Sequence, residues 1–125
     1  MSFTIEDMML TSEKQYDMKF LAGRNGWSNS ISWVHLLEDT TIIQNFWGKE
    51  LAVTTGLGFP ELIDWMHLAK ELVHHHSAGL IVNVGQYILE IPDELKQYCD
   101  ENDLPLLTVP WEVHLSDMIK DFSIR

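Results

Sequence analysis

Two clusters and one run of residues in this 125-residue chain have the types and spacing to do chemistry. His35 and Glu38, three positions apart in "HLLE", are of the kinds that serve as general base and orienting acid. "LAVTTGLGFP" ends an apolar run with Thr54, Thr55, Gly56 and Gly58, hydroxyls on a glycine-rich turn that could face a ligand. The run His74, His75 and His76 offers imidazole, which suits zinc, copper and nickel.

Each signal meets a physical objection. A phosphate loop needs a lysine and a hydroxyl residue at the helix start, whereas Phe59, Pro60 and Glu61 follow these glycines. Glu61 would also oppose a pyrophosphate at the helix amino terminus. Three consecutive histidines on a helix point about 100 degrees apart and cannot close one tetrahedral site, so their charge is read against the helix carboxyl end and no metal or cofactor is expected. For the His35 and Glu38 pair there is no nucleophile at a GxSxG elbow, and Cys99 falls mid-helix on a packing face. A non-catalytic domain is the leading expectation.

The elements that must position these residues can be read from periodicity. Thr4 followed by Asp7 predicts a capped first helix in "TIEDMMLTSEKQ". "DMKFLAG" reads as a short strand. "SISWVHLLE" reads as a strand covered on both sides, and "TTIIQNFWG" as a helix stopped by Gly48. After the "LAVTT" strand, a helix from Pro60 carries Leu62, Trp65, Met66, Ala69, Leu72 and Val73 on one stripe, with the proline at its first position. "AGLIVNV", "PDELKQYCDEN" and "PLLTV" give strand, helix, strand, and "PWEVHLSDMIKDF" turns into a last helix. The class is therefore α/β: a single domain with a mainly parallel sheet built from βαβ units and flanked by helices.

In such a sheet, ligands gather beyond the carboxyl ends of the strands. There the candidate binding set is His35, Glu38, Thr54, Thr55, Gly56, Gly58, Asn83, Gln86, Trp111 and Glu112. The tryptophans at 27, 33, 47 and 65 are assigned to the core, and Trp111 to a pocket or interface.

Composition narrows the partners. A formal net charge of −11, without any basic block, repels a phosphate backbone, so no direct nucleic-acid binding is expected. No apolar run is long enough to cross a membrane, and the single cysteine cannot form an internal disulfide, which together suit a soluble protein of the cytoplasm.

The segments "ISWVHLLE", "GKELAVTTGLGFP", "AGLIVNVGQYILEIPDEL" and "NDLPLLTVPWEV", in that order and spacing, resemble the amino-terminal domain of the PucR family of purine-catabolism regulators, from about Thr4 to Phe122. Two places depart from the pattern: Asn29 and Ser30 precede the W-V-H segment where a basic residue is expected, and His114 and Leu115 follow W-E-V. The resemblance implies a bacterial transcriptional regulator whose amino-terminal domain senses a small-molecule effector or relays a signal. The DNA-binding helix-turn-helix region it also implies is not expected within these 125 residues. The alternatives are a small enzyme acting on a nucleotide-like or acyl substrate, and a ligand-free dimerisation module. A homodimer is expected to form through the terminal helix, using Met118, Ile119 and Phe122.

Overall fold

The computed structural model describes residues 3–123. Helix α1 (Ile5–Gln15) starts at the expected capping box: the Thr4 hydroxyl accepts from the Asp7 N–H at 3.1 Å, and the Asp7 carboxylate accepts from the Thr4 N–H at 3.0 Å. Five strands follow, β1 (Lys19–Ala22), β2 (Trp33–Leu36), β3 (Glu50–Thr54), β4 (Gly79–Val84) and β5 (Leu106–Pro110), interleaved with α2 (Leu62–His74) and α3 (Asp93–Glu101). Helix α4 (Leu115–Ser123) comes last. The sheet order is β1-β5-β4-β3-β2; β2 to β5 are parallel neighbours, and β1 adds to β5 antiparallel.

The winding is simple. Strands β2, β3, β4 and β5 are laid down side by side in chain order, so right-handed crossovers put α2 and α3 on the same face. Trp65, Leu68, Ala69 and Leu72 of α2 and Leu95 and Cys99 of α3 pack there on Ala52, Leu80, Val82 and Leu106. The opposite face is Leu51, Val53, Ile81, Leu107 and Val109, covered by Ile5, Met8 and Met9 of α1 and Met118 and Phe122 of α4. The strands thus carry apolar residues on both faces, as a sheet buried between helix layers requires.

Several sequence expectations are corrected. Thr41–Asn45 is a 3-10 helix and the chain is extended at Phe46, because the Trp47 and Gly48 N–H groups donate instead to the buried Glu50 carboxylate, at 2.7 and 2.8 Å. The β-branched run Thr40 to Ile43 gives α-helix little support in any case. Helix α2 begins at Leu62 with Glu61 as its cap, so Pro60 stands outside the helix; Asp64 accepts from the Glu61 N–H at 3.0 Å. Strand β2 is the sheet edge rather than an enclosed strand, with Trp33 59% and Leu36 52% exposed. Of the tryptophans assigned to the core only Trp65 is fully buried, Trp27 is half-buried, and Trp47 is 96% exposed on the loop that Glu50 holds.

Helices α1, α2 and α3 end alike. Asp17, His76 and Asp103 each follow the cap residue with φ of 51, 58 and 56 degrees, and the next N–H returns to a carbonyl in the last turn (Met18 to Ser12, Ser77 to Leu72, Leu104 to Cys99). These are left-handed helix ends, a place usually filled by glycine. His74 closes α2, His75 caps it and His76 makes the turn, so the histidine run sits where the last carbonyls emerge.

Candidate functional site

The parallel register of β2 on β3 pairs Trp33 with Glu50 and Leu36 with Val53, which brings the residues after β2 alongside Thr54 and Thr55. Glu38 is held there completely. Its carboxylate accepts from the Thr54 hydroxyl at 2.8 Å, the Thr55 hydroxyl at 2.5 Å and the Thr55 N–H at 3.0 Å. Both threonine oxygens then accept in turn, Thr54 Oγ1 from the Gly56 N–H at 3.1 Å and Thr55 Oγ1 from the Leu57 N–H at 3.3 Å. Gly58 lies so close to the Glu38 carbonyl that any Cβ there would overlap it, and Gly56 has φ +89 beneath the Trp65 ring. The glycines of "TTGLGFP" therefore serve a tight clamp between two strand ends.

His35 is not part of that clamp. Its ring stacks on Phe46 at 5.0 Å, and among the described residues no ion pair joins it to Glu38. A base and its orienting acid need hydrogen-bond contact, and this pair lacks it.

A second polar cluster lies at the ends of β4 and β5. The Asn83 amide donates to the Pro110 carbonyl at 2.8 Å and reaches the Val109 carbonyl at 3.5 Å. Trp111 covers Gly85, whose φ is +127 and whose missing Cβ would lie 2.9 Å from that of Trp111. The ring of Tyr87, a residue the sequence reading passed over, meets Trp111 edge to face at 5.7 Å. Gln86, Tyr87, Trp111 and Glu112 are exposed. Thr54 and Asn83 stand on opposite faces of the sheet, since Thr54 shares the side of Ala52 and Asn83 that of Ile81. Between the clusters sits Ile88, 3.3 Å from where Gly56 would carry a Cβ.

Only at β4 and β5 do neighbouring parallel strands send their chains to opposite faces, β4 to α3 and β5 to α4. That divergence is what opens a crevice at a strand edge. Here the Asn83 amide bridges the two strand ends, and the Trp111 and Tyr87 rings lie exposed beyond them. Beside it, a cavity of about 400 Å³ opens between the end of α1 and the β5–α4 turn, lined by Tyr16, Asp17, Glu112, Val113 and His114 among others.

The Cys99 thiol is fully buried, and burial, with the neighbouring Asp100 charge as a second cause, pushes its pKa up to about 12. It stays protonated and unreactive at neutral pH. Among the described residues, no group of three or more His, Cys, Asp or Glu side chains is arranged to hold a metal ion, and no helix is long and apolar enough to cross a membrane.

Family comparison adds the decisive observation: residues 8–124 match the model of the PucR, Purine catabolism regulatory protein-like family. The chain belongs to this family. A curated relative, the Purine catabolism regulatory protein of Bacillus subtilis (strain 168), is 26% identical over 103 residues. That match takes in 79% of this PucR-family chain but spans only 19% of the relative's length.

Proposed function

We propose that this PucR-family domain is a non-catalytic sensory or interaction domain of a bacterial transcriptional regulator of catabolic genes, of the purine-catabolism kind, acting in the cytoplasm. The family match over residues 8–124 carries this reading. The geometry supports the absence of catalysis, because the Glu38 carboxylate is taken up by Thr54 and Thr55, His35 stacks on Phe46, and the Cys99 thiol is sealed. DNA binding is left to another part of such a regulator.

Within this reading the effector binds at the divergence of β4 and β5, on Gln86, Tyr87, Trp111 and Glu112, with Asn83 beneath. A ligand there that shifts Trp111 also shifts the turn leading into α4, and an effector acts by biasing such a segment between two arrangements. The test is a thermal-shift and calorimetric screen of the purified chain against purines and their breakdown products. An effector at a hundred times its Kd raises stability by about 2.7 kcal/mol. Binding that Trp111→Ala removes supports the assignment; turnover of any compound in the screen overturns the non-catalytic reading.

Self-association is also part of the proposal, with a changed surface. Met118 and Phe122 are buried against the domain's own sheet, so the stripe expected to join two copies is spent internally. The exposed Trp33 and Trp47 favour a second reading, an interaction module that docks through the β2 edge. Sedimentation of the wild type and of Trp33→Ser/Trp47→Ser decides it: loss of association in the variant supports this reading, and a wild type that is monomeric at high concentration removes it.

A further inference from the structure

Six of the twelve large apolar side chains exposed on the described residues lie at the carboxyl edge of the sheet: Leu57, Leu62, Ile63, Tyr87, Leu89 and Trp111. Exposed apolar residues scattered singly are ordinary, whereas a concentration of them marks an interaction surface. Four of the six form a group apart from Tyr87 and Trp111. Leu57 at 57% and Leu89 at 78% exposure follow directly on Gly56 and Ile88, where the β3–α2 and β4–α3 connections touch, and Leu62 and Ile63 open α2 just beyond.

Both connections are held in place. Gly58 lies against the Glu38 carbonyl, the Phe59 N–H donates to the Gly56 carbonyl at 3.0 Å, and the Gly85 N–H donates to the Ile88 carbonyl at 2.8 Å. The buried Phe59 and Trp65 rings meet at 5.3 Å beneath. An apolar surface fixed in this way binds without the entropy cost of ordering a loop.

Charge decides what meets it. Residues 54–69 and 83–95, which supply the surface, contain Glu61, Asp64, Glu90, Asp93 and Glu94 and no lysine or arginine. Lys96 pairs with Asp93 at 3.2 Å, but among the described residues no ion pair engages Glu61, Glu90 or Glu94, all exposed. A second copy would bring the same acidic rim and a net charge of −11, and an anionic lipid surface is repelled alike. The open edges of the sheet are β1 and β2, so no strand edge is on offer here for an extended peptide.

We infer that this surface docks a basic amphipathic helix of a partner protein. The apolar stripe of that helix lies on Leu57, Leu62, Ile63 and Leu89, and its lysines or arginines meet Glu61, Glu90 and Glu94. Apolar contact supplies the affinity, and charge selects the partner. The inference is independent of the effector crevice, since Gln86, Trp111 and Glu112 take no part in it.

A dye-labelled peptide of about 14 residues, with leucine along one helical face and lysine on the other, is the probe. The same composition scrambled so that no apolar face forms, and the peptide with glutamate in place of lysine, are the controls. Fluorescence anisotropy and amide chemical shifts of the intact chain are the readouts. The expected result is saturable binding roughly tenfold or more tighter than either control, weakening as salt rises, with shifts at Leu57, Ile63 and Leu89. Leu57→Ser/Leu89→Ser lowers the affinity roughly tenfold or more, and Glu61→Gln/Glu90→Gln lowers it while flattening the salt dependence. Trp33→Ser/Trp47→Ser and Trp111→Ala leave it unchanged. An unchanged Tm shows that the leucine variant folds, as expected for side chains that the fold leaves in water. The inference is overturned by no binding, by equal binding of the scrambled peptide, or by shifts confined to Trp33 and Trp47 or to Gly85 and Trp111. Self-association of the wild type that Leu57→Ser/Leu89→Ser abolishes overturns it too, because the occupant is then a second copy.

Discussion

Replacing Glu38 by alanine removes three hydrogen bonds at once. They are not equivalent. Thr55 is half-buried, so water can replace much of what its hydroxyl and N–H lose, whereas Thr54 is 0% exposed and its hydroxyl is left with no acceptor. An unsatisfied buried donor costs about 1–3 kcal/mol, and the Thr55 bonds add roughly another 1 kcal/mol after water exchange. The expected loss is therefore about 2–4 kcal/mol, a large part of the roughly 5–15 kcal/mol that holds a domain together. For a chain of this length it lowers Tm by about 10 °C. Urea unfolding is the assay, with an unchanged m-value as the check that both end states are comparable. A double-mutant cycle with Thr54→Val isolates the pair, and a coupling of about 1 kcal/mol or more is expected. If Glu38→Ala stays within about 0.5 kcal/mol of the wild type while a ligand response disappears, the carboxylate is a binding group and the clamp argument is wrong.

Gly58→Ala should destabilise by about 3 kcal/mol or prevent folding, because its Cβ overlaps the Glu38 carbonyl; the yield and Tm of the variant check this. His76→Gly should raise stability by about 0.5–1 kcal/mol by removing a Cβ from a left-handed helix end, as read from the denaturation midpoint. Cys99 has a folded pKa raised to about 12 against an ordinary value of 9.0, so the folded state keeps its proton while the unfolded thiol ionises. Its contribution is fully present below pH 9 and falls by at most about 1.4 kcal/mol per pH unit between 9 and 12, a slope that Cys99→Ala abolishes in pH-dependent unfolding.

Much of the fold was legible because its signals are local. The Thr4 and Asp7 box, the apolar runs of β3, β4 and β5, and the α2 stripe each lie within a dozen residues, and all appear in the structure, except that Leu62 at the start of the stripe is 41% exposed and Leu68, outside the expected stripe, is buried. Strand order is not local. That β2 lies at the edge depends on what pairs with it from elsewhere, so Trp33 and Trp47 look like core residues until the sheet is assembled. The site was half legible for the same reason. Types and strand-end positions picked out Glu38, Thr54, Thr55, Asn83 and Trp111, but only the register of β2 on β3 shows Glu38 facing the threonines.

The covering of the second face bears on how the chain folds. Helices α1 and α4 meet there, with Phe3 and Tyr16 each about 6 Å from the Phe122 ring and the Tyr16 hydroxyl bonded to Asp121, 105 positions away. Neighbouring strands such as β3 and β4 pair residues only 28 apart, Leu51 with Gly79. Closing the longer loop costs roughly 1.2 kcal/mol more in chain entropy, nearly two doublings of length. The parallel strands with α2 and α3 are thus the cheaper unit to assemble, and the α1–α4 layer is the last to close and the first to open. Amide exchange of the native chain should then fall into two classes, with α1 and α4 exchanging through a partial opening that leaves β3, β4 and α2 protected.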